Sequence, residues 1–409
     1  MQKWRSYILW FGGAAAALLL PLAIELLSPV YGLGLLLLGV LFFSERKLSL
    51  WPLLLFAAFL DWQWVSTLWS DHGEAGWNDV IMVLPIGIMG VALHLFSLRD
   101  GTLWSKRWLR VFAWATLAAW TFIFFKSLYL NGWVNYKNFE LSSRLGVHFQ
   151  SLYVLAALMV LERDIWKRNI GKNWPTILAC LWLFIGLFLL SSRIHLFLIP
   201  LVIITRFYEF AKVQKTNRTL LYCAATGIFI SGVLFTILIP GPRSRMIDLR
   251  NELRSIGEKV DGKQTNHRVF IWKEGWGIVQ EHPLLGVGNG AGEYKLNERL
   301  DQLDVEFYRG ADTYTFSEFF YDFHNIWLQS LAEGGLLAAV LLGGLFLWGI
   351  RSSDGTLRDL WMVLLLSGTT ESLFDKQAGS LFIAFLVAVT ALSSSKKDST
   401  EDPRPGHLQ

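Results

Sequence analysis

Long apolar runs, separated by short polar segments, organise this chain from end to end. A helix crossing a bilayer needs about 20 mainly apolar residues. Runs of roughly that kind predict spans near Tyr7–Ile24, Val30–Phe43, Leu50–Trp69, Asp79–Phe96, Trp108–Leu130 and Leu145–Leu161. Further spans are predicted near Trp174–Leu190, Ile194–Phe207, Leu220–Ile239, Asn325–Ile350, Leu357–Gly368 and Gly379–Leu392. The fold class this predicts is an all-α polytopic membrane protein with about twelve transmembrane helices. The second, eighth, eleventh and twelfth runs are short, so pairs of them also fit re-entrant hairpins.

One connection departs from the pattern. Between Ile239 and Asn325 lie about 85 residues rich in polar and charged groups. A loop of that length is functional or disordered as a rule, and this one is not of low complexity. Met246–Ile256 reads as an amphipathic helix, and Arg268–Gln280 as a second helix carrying tryptophans and aliphatics. The layout is therefore helices 1–9 in residues 1–239, a mostly helical loop domain in 240–322, helices 10–12 in 323–395, and a tail in 396–409. Ser393–Gln409 is polar with two prolines and reads as disordered. No internal repeat is visible.

Charge orients the bundle. With the N-terminus inside, the inner segments carry Lys3 and Arg5, Arg46 and Lys47, Arg99 to Arg110, Arg163 to Lys172, Arg206 to Arg218, Arg351 and Arg358, and Lys396 to Arg404. The short outer segments carry only Lys126, Lys137, Arg144, Arg193 and Lys376. Such alternation is the positive-inside rule; it puts both termini in the cytoplasm and the long loop outside. Lys3 and Arg5 before Ala14–Ala17 resemble a signal peptide, but the apolar run continues through Leu18–Leu22, so an uncleaved first helix is expected.

Composition narrows the class. Of 409 residues 53% are hydrophobic and 17% charged, with 20 Trp and 29 Phe, whereas soluble domains carry about 25% charged residues. An ordinary cytosolic enzyme, a disordered chain and a coiled coil are excluded, and the solvent partner is membrane lipid. A net charge of +4 is too small to imply a nucleic-acid partner. Cys180 and Cys223, each inside an apolar run, exclude a disulfide scaffold and a cysteine-rich metal centre.

Chemistry-bearing residues concentrate on the outer side. His324, in Asp322-Phe-His-Asn-Ile-Trp327, sits where the loop re-enters the membrane, so it reads either as a base at a water–lipid boundary or as a helix anchor. Arg193, in Ser191-Ser-Arg-Ile-His195, lies between two apolar runs, where an arginine either snorkels or receives an anion. Arg268 opens an amphipathic helix and offers a guanidinium fork suited to phosphate oxygens. The following Gly286-Val-Gly-Asn-Gly290 lacks the Lys-Ser or Lys-Thr of a phosphate loop and reads as a turn with close backbone packing. Arg144 and His148 open the sixth span and are candidates to support a polar pocket, as are Asn325 and Glu333. Asp61, Glu333 and Glu371 are carboxylates in or near spans, where such groups face the bundle interior. His94 and His195 read as structural, and Asp71, His72, Glu74 and Asp79 as a solvated acidic turn. No His, Asp or Glu set has metal-ligand spacing, so neither a metal nor any other cofactor is expected.

The topology brings Arg193, Arg268 and His324 to one outer face. Two guanidiniums suit a lipid-linked diphosphate, and a histidine suits the base for an attacking hydroxyl. At these residues the chain resembles the O-antigen ligase and polymerase superfamily of bacterial envelope glycosyltransferases. The resemblance rests on Arg268-Val-Phe-Ile-Trp with His282-Pro-Leu-Leu-Gly-Val-Gly-Asn-Gly, on His324-Asn-Ile-Trp-Leu-Gln, and on Glu333-Gly-Gly. Ser192-Arg193 and Trp64-Val-Ser-Thr-Leu-Trp-Ser70 also look like family landmarks. It implies metal-independent, inverting transfer of a glycan from undecaprenyl diphosphate to a hydroxyl of an acceptor such as the lipid A-core. That would take place at the periplasmic face of the bacterial inner membrane, with His324 as base and Arg193 and Arg268 as diphosphate ligands. The Gly-Ala-Gly-Glu after Asn289 departs from many ligases. A single large outer loop favours a ligase over a repeat-unit polymerase, and the absence of paired halves speaks against a transporter.

Overall fold

The computed structural model describes residues 2–22, 28–43, 45–46, 49–97, 101–131, 145–166, 173–190, 192–200, 267–303, 305–309 and 312–394, with the isolated positions 202, 227, 230 and 243. The predicted spans reappear as helices α1 (Gln2–Leu22), α2 (Ser28–Phe43), α3 (Leu50–Ser66), α4 (Gly73–Leu95) and α5 (Gly101–Asn131). They continue as α6 (Val147–Trp166), α7 (Trp174–Leu190) and α8 (residues 193–200). After the loop come α9 (His267–Glu281), α10 (Gly292–Asp301), α11 (Ile326–Arg351), α12 (Thr356–Ser367) and α13 (Gln377–Ser394). The expected span Leu220–Ile239, the end of the eighth span, the Met246–Ile256 helix and Arg144 lie outside the described residues.

By length and composition, Gly73–Leu95, Gly101–Leu130 and Ile326–Arg351 are able to cross a membrane, and Tyr7–Leu22, Val30–Leu41, Trp174–Leu190 and Gln377–Ser393 are shorter apolar helices. Large apolar side chains such as Phe11, Leu54, Ile81, Phe122 and Val340 point outward from the bundle, as lipid-facing positions do.

The last helix is the hub. α13 packs against α4 and α5 and touches α1 and α2. Every side chain from Leu381 to Val389 is at most 1% exposed, which is why this helix is apolar all round rather than on one stripe.

The segment from His267 to Phe323 has its own core of Ile271, Ile278, Leu296, Leu300, Phe307 and Phe316. Beyond the expected helix at 267–281, it contains α10 and a hairpin of β1 (Glu306–Arg309) and β2 (Asp312–Thr315), paired antiparallel. The hairpin is the strand-forming part of a loop expected to be mostly helical. Its strand residues Glu306-Phe-Tyr-Arg and Asp312-Thr-Tyr-Thr are too short to show a clear period of two.

A break in α11 joins the two cores. Gly335 adopts φ 64°, ψ −162° inside the helix, a conformation that costs little only without a Cβ. The break frees backbone groups, which must be paired elsewhere. The carbonyls of Ala332 and Glu333 accept the N–H groups of Val287 (2.8 Å) and Gly288 (2.9 Å). The Gly334 carbonyl accepts Trp62 Nε1 at 2.9 Å, and Leu336 N–H donates to the Pro283 carbonyl at 3.0 Å. The glycine-rich turn therefore does what its sequence suggested. It lies so close to its neighbours that a Cβ on Gly290 would stand 2.1 Å from the backbone of Gly76.

Candidate functional site

His324 sits on the seam between the two cores. Phe323 on one side is fully buried in the core of residues 267–323, and Ile326 on the other is fully buried in the bundle core. The Phe323 carbonyl accepts Trp272 Nε1 at 3.0 Å, and Ile326 N–H donates to the Gly368 carbonyl at 2.9 Å. Between these anchors His324 takes φ +47°, the only positive φ at a non-glycine among the described residues. Such backbone strain collects where surrounding packing over-determines it, often at functional sites. Asp322 holds the strained turn: its Oδ1 accepts the His324 backbone N–H at 2.7 Å. The same oxygen stands 2.9 Å from His324 Nδ1. The contact is not aligned as a hydrogen bond, so it acts through charge, which favours a proton on Nδ1 and leaves Nε2 free to accept one. Burial pushes the Asp322 carboxyl upward, but the bonds and charge of His324 outweigh it and hold Asp322 below the usual carboxylate range.

A second carboxylate gathers the cations. Glu371, in the turn between α12 and α13, places Oε1 3.1 Å from both Arg268 Nη2 and His148 Nε2. Its Oε2 lies 3.9 Å from His324 Nδ1. Burial, partly offset by the charges of Arg268 and His324, raises the Glu371 carboxyl above its ordinary value.

Behind His148 runs a chain of bonded side chains. Ser192 Oγ lies 3.2 Å from His148 Nδ1 and 2.8 Å from His195 Nδ1, and His195 Nε2 lies 3.2 Å from Ser367 Oγ. With Glu371 ionised, His148 Nε2–H donates to it, so His148 Nδ1 accepts from Ser192, which accepts from His195 Nδ1–H, whose Nε2 accepts from Ser367. One direction satisfies every partner. Arg193 follows Ser192 directly and is half-buried at the start of α8.

Of the residues singled out from the sequence, His324, Arg268 and His148 are thus brought together, and Arg193 starts its helix beside the same network. Asn325 does a different job: its Oδ1 accepts the N–H groups of Trp327 (2.9 Å) and Leu328 (3.1 Å), capping α11.

Glu333 belongs to a separate cleft lined by Trp62, Asp79, Asn289, Gln329 and Asp375. Asp79 therefore leaves the solvated turn expected of it, whereas Asp71, His72 and Glu74 are exposed. Glu293 from α10 joins this cleft. Burial first, then the neighbouring Asp375, push its carboxyl up to about 10. Asp375, raised to about 6 by burial and by Asp322, accepts a hydrogen bond from Gln329 Nε2. Among the described residues no group of three or more His, Cys, Asp or Glu is arranged to hold a metal ion.

Sequence reasoning missed Asp375 and Glu293 and gave Glu371 and Asp322 no role. The available signal was the Glu371-Ser-Leu-Phe-Asp-Lys376 turn, which places two acids and a lysine between apolar runs.

At one end of a bundle of apolar helices lie an imidazole, a guanidinium and two partner carboxylates, groups suited to acid–base and anion chemistry. Residues 178–343 match the family model described as O-antigen ligase, which supports the resemblance to the O-antigen ligase superfamily. The match runs from α7 into α11 and includes Arg193, Arg268 and His324, while His148 and Glu371 flank it. A comparison with curated proteins gave no match.

Proposed function

We propose that this protein transfers a glycan from undecaprenyl diphosphate to an acceptor hydroxyl, as a ligase, at the periplasmic face of the inner membrane. The observation that carries this reading is the convergence of Arg268, His148 and His324 on one carboxylate, with the Asp322 carboxylate beside His324 Nδ1. In the reaction, the acceptor oxygen attacks the anomeric carbon from the face opposite the diphosphate, and its proton passes to His324 Nε2. The bond between the anomeric carbon and the phosphate oxygen breaks, and its electron pair leaves on the polyprenyl diphosphate. Arg268 and Arg193 neutralise the charge that grows on that leaving group, and inversion at the anomeric carbon follows from the single displacement. The single outer domain, with one core of its own, favours a ligase over a polymerase.

The test is transfer by purified protein from a lipid diphosphate-linked glycan to lipid A-core. The wild type transfers with inversion. Arg193→Ala and Arg268→Ala lose most activity while remaining folded, and lysine at either position restores little because a point charge does not reproduce the guanidinium fork. Normal transfer by both alanine variants sinks the diphosphate assignment.

A further inference from the structure

Arg268, His148 and His324 all lean on Glu371. That side chain is 12% exposed, and its partners come from three separate parts of the chain. They are Arg268 at the start of α9, His148 at the start of α6, and His324 before α11. A carboxylate and a phosphate ask the same of a guanidinium: oxygen acceptors in the plane of its N–H groups. Glu371 therefore presents to Arg268 and His148 the acceptors that a diphosphate would present. We propose that Glu371 is the resident counter-ion of the diphosphate site, and that donor and product compete with it for Arg268 and His148. This rests on the reading that the cluster binds diphosphate.

The reason such a group is useful lies in the charge balance of the transfer. Breaking the bond from the anomeric carbon to oxygen turns a diphosphate diester into a monoester, so the product carries one more negative charge than the donor. Arginines that hold the donor hold the product more tightly, and product release then limits turnover. A carboxylate that returns to Arg268 and His148 weakens both complexes and speeds the exit. Glu371 lies outside the helices, in the turn that begins with Thr369 N–H on the Leu366 carbonyl (3.2 Å) and Thr370 N–H on the Ser367 carbonyl (3.1 Å). Burial raises its carboxyl above the ordinary value, which weakens its hold on the cations relative to a solvated carboxylate.

A fixed structural brace makes the opposite prediction. If Glu371 only held Arg268 in position, its loss would loosen the arginine and weaken binding.

The measurement uses the full chain in detergent micelles, with a short-chain prenyl diphospho-N-acetylglucosamine as donor probe and the matching prenyl diphosphate as product probe. Glu371→Gln keeps the size of the side chain and removes its charge. Binding of both probes should tighten by about tenfold, with a lower KM for the donor and a lower kcat as release slows. Equal or weaker binding in Glu371→Gln overturns the counter-ion role.

Arg268→Ala separates the two levels. If the wild type binds the probes and Arg268→Ala does not, the diphosphate reading stands whatever Glu371→Gln does. If the wild type and Arg268→Ala bind alike, the diphosphate reading itself fails, and the counter-ion role fails with it. Glu371→Ala repeats the measurement should the glutamine variant not remain monodisperse.

A pH series adds an independent readout. Arg268, His148, His324 and Asp322 face Glu371 in both proteins. The wild type must therefore gain affinity more steeply than Glu371→Gln on acidification, and parallel slopes count against the proposal.

Discussion

Two clusters of ionisable groups lie side by side at one end of the bundle and solve the same electrostatic problem in opposite ways. Around Glu371 and Asp322, buried carboxylates are balanced by Arg268, His148 and His324. Around Asp375 and Glu293, carboxylates face one another with Asp79 and Glu333 nearby, and protons supply the balance. The turn 369–376 belongs to both, with Glu371 on the cationic side and Asp375 on the acidic side. A buried charge left without a partner costs several kcal/mol, so the first cluster needs its cations and the second needs its protons. The first is thereby suited to take up an anion, and the second ties stability to the protons it holds.

Breaking the first cluster has the largest expected effect. His324→Ala removes the base and should lower transfer by roughly 10²–10⁴-fold while donor-probe binding survives, as read by single-turnover transfer and equilibrium binding. Near wild-type transfer by that variant would take the histidine out of the mechanism. Arg268→Ala comes next, at about a hundredfold loss in kcat/KM, and in this variant donor binding falls as well. That contrast between the two variants separates the proton acceptor from the anion receptor.

The seam between the clusters is tested through Gly335. A Cβ at this position would lie 2.2 Å from the Leu284 carbonyl oxygen, on a backbone at φ +64°. Gly335→Ala should cost about 2–4 kcal/mol, combining the unfavourable φ with a backbone clash. The loss would be read as a lowered unfolding midpoint in detergent, with the His324 turn disturbed as a consequence. An unchanged midpoint would mean that α11 straightens freely and that the glycine-rich turn is not bound to it.

The smallest effect sharpens the acidic side. Glu293 has its carboxyl raised from 4.5 to about 10, so the folded state holds a proton that the unfolded chain releases. The stability contributed by that protonated form is complete below the unfolded value and is lost as pH rises toward the folded one. The unfolding midpoint of the wild type should therefore decline between about pH 5 and pH 9. Glu293→Gln, which mimics the protonated group, should flatten that decline. A decline of the same slope in the variant would show that Glu293 is not where the proton resides.

These contrasts also separate what was legible in the chain from what was not. The apolar runs located the helices α1 to α7 and α11 to α13, with ends that differ by up to seven residues (Trp108 expected, Gly101 observed), because helix formation in an apolar run depends on neighbours a few positions away. The same local logic identified the α9 helix, the glycine-rich turn, and His324 and Arg268 as polar groups stranded at helix ends. What the sequence did not reveal depends on contacts between remote segments. Gly334 and Gly335 look like small residues in an apolar span, and only the approach of Pro283–Gly288 makes a break there favourable by pairing the backbone groups it frees. Asn325 looks like part of a motif with His324, yet its side chain is used up in capping α11. Glu371 reads as one acid in a short turn, and its role comes from Arg268 and His148, which reach it from helices far away in the chain. Asp375 and Glu293 carry no local mark of protonation, since a carboxyl keeps its proton only when folding buries it beside others. Local pattern determined the elements and the stranded polar groups; long-range packing decided which charges meet, because electrostatic energy depends on distance and burial that no short stretch of sequence contains.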